Sequence, residues 1–167
     1  MVITRKKYAI VDLINVTSTV TGEIVSDYPL AEALKADGVE NGMFLHPNHV
    51  AQEVQLVAGD SQDEGKELYI KLEEARKAAN EVFDAGQEPR NQFKVMDYPR
   101  LFKLVNGNVF ETNAVNGELA AGNYATITDG FIVAGGDATT SPFLCQEEVI
   151  LNNGEQGYRF VVINERL

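Results

Sequence analysis

Four Asn-Gly or Asp-Gly dipeptides between residues 101 and 167 constrain this chain more than any other feature. Asn106-Gly107 separates the apolar runs 101–105 and 109–112, and Asn116-Gly117, Asp129-Gly130 and Asn153-Gly154 punctuate the runs 124–128, 131–134, 143–151 and 158–164. These dipeptides take the positive backbone angles of tight turns at little steric cost, so the pattern predicts a small antiparallel β unit over about residues 93–167. The 135–142 stretch, Gly-Gly-Asp-Ala-Thr-Thr-Ser-Pro, reads as a loop within it.

Upstream the pattern changes. Ser61 with Glu64 three residues on fits a capping box, in which each side chain satisfies an orphan amide. Leu68, Leu72, Ala75, Ala79, Val82 and Phe83 fall on one arc at helical spacing, with Glu67/Lys71 and Glu73/Lys77 as i,i+4 pairs opposite. The spacing predicts one long amphipathic helix over about 62–85, stopped by Gly86 and Pro89. On this reading Ile70 lies on the charged side, where it is a candidate partner contact. A short helix is expected over 30–36, ended by Asp37-Gly38.

Residues 1–28 are rich in β-branched side chains and read as extended chain, with a turn at Thr21-Gly22-Glu23 before Ile24-Val25. Such a segment pairs either with another molecule or with its own sheet. The expected organisation is therefore an α+β fold. An extended arm over 1–28 precedes a single domain over 29–167, built from the long helix and a small antiparallel β-barrel or sandwich. The candidate contacts on the arm are the basic tip Arg5, Lys6, Lys7 and the β-branched Val16 and Val20.

The chain of 167 residues carries 25 acidic against 14 basic side chains, a net charge of −11. That balance repels phosphates and anionic lipid, so neither nucleic acid nor membrane is an expected partner. No apolar run approaches the roughly 20 residues that cross a bilayer, and the first residues lack a signal-peptide pattern. Cys145 is the only cysteine. It offers no internal disulfide and reads as a core position of a strand.

The residue types that carry catalysis do not fall into a recognisable arrangement. His46 and His49 are the only histidines, Pro47 stands between them, and no third ligand sits at zinc spacing. They read as two imidazoles on a surface turn. The acidic pairs Asp63-Glu64, Glu73-Glu74 and Glu147-Glu148 lie in hydrophilic surroundings and read as solvated faces. Gly135-Gly136 precedes no helix that could aim amides at a phosphate, and no phosphate-binding or nucleophile-elbow motif is present. The expectation is a protein that is not an enzyme, with no catalytic, cofactor-binding or metal-binding residues.

One stretch adds a resemblance. Residues 101–131 carry Gly107-Asn-Val-Phe-Glu-Thr-Asn and Gly117-Glu-Leu-Ala-Ala-Gly-Asn-Tyr, and Tyr158-Arg-Phe-Val-Val closes the unit. Together these elements resemble the small β domains of tailed-bacteriophage capsid decoration, or cement, proteins, over residues 101–164. The resemblance implies a virion protein on the outer capsid surface, present in the host cytoplasm before assembly. It also implies a homotrimer that binds the major capsid protein shell and braces it. A small cytoplasmic ligand-binding or enzyme-accessory β-barrel, or a head-fibre or tail adaptor, are the alternatives.

Overall fold

A computed structural model describes residues 9–35, 38–72 and 98–167. Eleven strands and two single-turn helices make up the described fold. In chain order they are β1 (Val11–Asn15), α1 (Ser18–Thr21), β2 (Ile24–Val25), α2 (Glu32–Lys35), β3 (Leu45–Asn48), β4 (Glu53–Leu56), β5 (Leu68–Lys71), β6 (Leu101–Leu104), β7 (Val109–Thr112), β8 (Tyr124–Thr128), β9 (Phe131–Ala134), β10 (Phe143–Ile150) and β11 (Gln156–Val162). A six-stranded sheet runs β1-β7-β11-β10-β8-β9, a three-stranded sheet runs β2-β6-β5, and β3 pairs with β4. Every pairing between named strands is antiparallel.

The two larger sheets share one core. Phe110, Phe143, Phe160, Ile127 and Ile132 from the six-stranded sheet meet Leu68, Ile70, Phe102 and Leu104 from the three-stranded one. At its centre the Phe110 ring lies 5.6 Å from both Phe143 and Phe160, within the range where aromatic quadrupoles attract. A second cluster gathers Leu30, Leu34, Met43, Leu45, Val54, Tyr69, Leu101 and Phe131. Strand β5 thus buries both faces, with Leu68 and Ile70 toward the first cluster and Tyr69 toward the second. Lys71, 1% exposed, donates from Nζ to Asn41 Oδ1 at 3.1 Å, which offsets part of the cost of burying it.

Three expectations are corrected here. Strand accounts for 42% and helix for 6% of the described residues, so the α+β reading with a long helix fails. Residues 62–65 form turns, Glu67 makes an isolated bridge with Arg166 and 68–71 form β5, while 73–85 of the expected helix lie outside the described residues. The sheets are open, so the unit is not a closed barrel. Nor are residues 9–28 a free arm: Val11 pairs with Thr112 and Leu13 with Phe110, and Ile24 pairs with Phe102. Burying Val11 and Val16 at 7% and 3% exposure in the chain's own core outweighs extending them into water.

The turn dipeptides divide in their roles. Asp129-Gly130 is a two-residue hairpin loop, because Thr128 pairs directly with Phe131. Asn153-Gly154 lies in the five-residue loop between the paired Ile150 and Gln156. Asn106-Gly107 instead carries the chain from one sheet to the other, since β6 and β7 do not pair. Asn108 secures that crossing: its Oδ1 accepts from the Val105 amide at 3.0 Å, and its Nδ2 donates to Thr17 Oγ1 at 2.9 Å.

Candidate functional site

The expected contact residues do not share a face. Val16 and Ile70 are 3% and 0% exposed, so both belong to the core and neither is available to a partner. Ile70 was misplaced because a helical period was applied to a strand, which turned an inward position outward. Val20, on α1, is 88% exposed. Arg5, Lys6 and Lys7 lie outside the described residues. Among the described residues, the other large apolar side chains at the surface are Ile14 on β1, Val50 in the turn after β3, Ile150 on β10, and Tyr98.

The two histidines part company. His49 is exposed, and its Nδ1 lies 3.0 Å from the Tyr28 hydroxyl, with the rings edge to face at 5.5 Å. His46 is only 8% exposed, which corrects the expectation of two surface imidazoles. Its Nδ1 is buried with no hydrogen-bond partner among the described residues. Burial, and then the nearby Lys66 ammonium, lower its pKa below the ordinary 6.5. Asp63 and the Gln55 backbone pull the other way.

Asp63 is likewise not the solvated carboxylate that its neighbours suggested. It is 3% exposed, accepting from the Gly59 amide at 2.8 Å and from Lys66 Nζ at 2.9 Å. Burial alone would raise its pKa, but the Lys66 and Gly59 hydrogen bonds and the Lys66 charge outweigh it and hold the carboxyl below its ordinary range. His46, Asp63 and Lys66 therefore form an electrostatically linked group that sequence reasoning missed. The available signal was Asp63-x-x-Lys66 together with a histidine in an apolar run.

The remaining candidates have structural partners. Cys145 is fully buried among Phe143, Phe160 and Tyr158, and burial, with Glu148 adding, pushes its thiol pKa up, away from nucleophilic thiolate character. Glu147 and the buried Glu111 both take the Arg159 guanidinium, with Arg159 Nε to Glu111 at 2.8 Å. Glu73-Glu74 lies outside the described residues. In the 135–142 loop the exposed Asp137 carboxylate accepts from the amides of Thr139 and Thr140. The Thr139 hydroxyl and amide, with Thr140, lower its pKa to about 2.

Among the described residues no group of three or more His, Cys, Asp or Glu side chains is placed to hold a metal ion. None of the described helices is long and apolar enough to cross a membrane. Comparison with family descriptions, with curated proteins and with solved structures finds no match for the chain.

Proposed function

We propose that this chain is a virion structural protein that decorates the outer surface of a bacteriophage capsid. It acts by binding the major capsid protein shell, as a homotrimer and without catalysis. The observation that carries the non-catalytic half is the state of Cys145. A thiol buried among aromatic rings with a raised pKa has the opposite environment to an activated nucleophile. Asp63 and Glu111, the buried carboxylates described above, are engaged by Lys66 and Arg159.

The capsid half rests on the resemblance over residues 101–164. It is supported by the way that stretch folds, as strands β6 to β11 with short hairpin loops at 129–130 and 151–155. The acidic balance of −11 suits a subunit that stays soluble at high concentration and does not bind the genome. The test is co-sedimentation with shells assembled from the cognate major capsid protein. Saturable binding of a trimer, with a rise in the shell's heat resistance, is the expected result. A chain that stays in the supernatant at micromolar concentration overturns the reading.

A further inference from the structure

The chain has four Asn-Gly dipeptides, beginning at Asn41, Asn106, Asn116 and Asn153. In each, the glycine nitrogen can reach the asparagine side-chain carbonyl, because no Cβ on the glycine obstructs the approach. The fold treats the four differently. The amides of Gly42, Gly107 and Gly154 donate to the carbonyls of Lys71 at 2.8 Å, Val162 at 2.9 Å and Leu151 at 2.8 Å. Two of the side chains are held as well: Asn41 Oδ1 accepts from Lys71 Nζ at 3.1 Å, and Asn153 Oδ1 accepts from the Glu155 amide at 3.0 Å. Gly42 is also crowded, since a Cβ there would run into that of Ala114.

Asn116-Gly117 forms a bend in the connection from β7 to β8 and lacks those restraints. Among the described residues, neither the Gly117 amide nor the Asn116 side chain has a hydrogen-bond partner. Gly117 is exposed, with open space where a Cβ would stand. The segment is anchored on either side of it instead. The Asn116 amide donates to the Ile132 carbonyl at 2.8 Å, Val115 bridges Ile132, and Leu119 is buried in the core. Between these anchors lie Gly117 and Glu118, both exposed, so a ring can close there without breaking a bond the fold uses.

We propose that Asn116 is a self-modification site, at which the folded chain converts to isoaspartate and aspartate faster than at its other three Asn-Gly dipeptides. Solvent hydroxide takes the Gly117 amide proton, and the nitrogen bonds to Asn116 Cγ. The Cγ–Nδ2 bond breaks, Nδ2 leaves as ammonia with a proton from water, and a succinimide ring remains. Water then opens the ring. Attack at the main-chain carbonyl carbon breaks its bond to the Gly117 nitrogen and leaves isoaspartate, whereas attack at Cγ breaks the newer bond and leaves aspartate. The net change consumes one water, releases one ammonia and adds a negative charge to the −11 of the chain. At Gly42, Gly107 and Gly154 the nitrogen must first leave its hydrogen bond by local opening, which slows the same reaction. This goes beyond the capsid reading and does not depend on it.

The test is incubation of the full native chain in mildly alkaline buffer, with the four Asn-Gly peptides followed by mass spectrometry and isoaspartate separated from aspartate by chromatography. Asn116 should convert at least about fivefold faster than Asn41, Asn106 or Asn153, the factor that one net backbone hydrogen bond provides. In concentrated guanidinium chloride, where the fold is lost, that preference should disappear. A native chain in which Asn106 or Asn153 keeps pace with Asn116 overturns the proposal. So does a preference for Asn116 that persists in denaturant, because sequence neighbours and not the fold would then set it. Hydrogen exchange on the native chain gives an independent reading. The Gly117 amide should exchange at its intrinsic rate while those of Gly42, Gly107 and Gly154 are protected, and a protected Gly117 amide also overturns the proposal.

Discussion

Ile70→Ala separates a buried strand from an exposed helical face. Ile70 is fully buried at the middle of β5, paired with Phe102 on one side and bridged to Phe44 on the other. The substitution removes three carbons, worth about 2.5 kcal/mol of transfer free energy at roughly 0.8 kcal/mol each. The cavity left between two sheets that cannot collapse freely raises the loss to about 4 kcal/mol. With a urea dependence of about 2 kcal/mol per molar, the unfolding midpoint should drop by about 2 M. The assay is equilibrium urea unfolding followed by far-ultraviolet circular dichroism. Val50→Ala, at a 97% exposed turn position, is the control and should stay within about 0.5 kcal/mol of the native chain. An Ile70→Ala midpoint no lower than that of Val50→Ala would refute the placement of β5 in the core.

Two other substitutions probe close packing. A Cβ at Gly59 (φ +85°) would sit 1.9 Å from the Ile127 carbonyl oxygen, whereas one at Gly107 (φ +86°) meets open space. With the same backbone strain in both, Gly59→Ala should cost at least about 2 kcal/mol more than Gly107→Ala in the same urea assay. Cys145→Ser buries a hydroxyl where a thiol packs among aromatic rings, so it should lose about 1–3 kcal/mol of stability. The folded variant should still bind shells as the native chain does, and alkylation of native Cys145 should require unfolding.

The turn residues made the β unit legible because a positive backbone angle is a local demand that few residues meet. They did not show that β6 and β7 belong to different sheets, which depends on which strands find partners across the core. The helix expectation failed for a physical reason visible at Leu68, Ile70 and Leu72. A short apolar run satisfies a period of 3.6 and a period of 2 about equally well. Gly65, with φ +79°, was the local sign against helix, since it falls one residue after Glu64 of the supposed capping box. Tyr69 and Ile70 are strand formers, and tertiary burial on both faces decided the matter.

The candidate contacts were less legible than the fold. Val16 and Val20 look alike in sequence, yet α1 turns one into the core and the other into solvent. The β-branched run was read as extended, but it makes a helical turn capped at Gly22. Asp63 sits among polar neighbours in the chain, and His46 ends an apolar run just before Pro47. Their burial comes from the packing of the β3–β4 hairpin and the 59–66 turn, of which the apolar run before His46 and the Asp63-x-x-Lys66 spacing are only partial signs.

The central claim is that this chain works by occupying a surface, and density on the shell tests it most directly. Capsids lacking the protein should be incubated with the purified chain and imaged by cryo-electron microscopy beside untreated capsids. The account predicts stoichiometric added density on the outer face, into which the β2-β6-β5 and six-stranded sheets fit. Treated and untreated maps that are identical at saturating protein would contradict it.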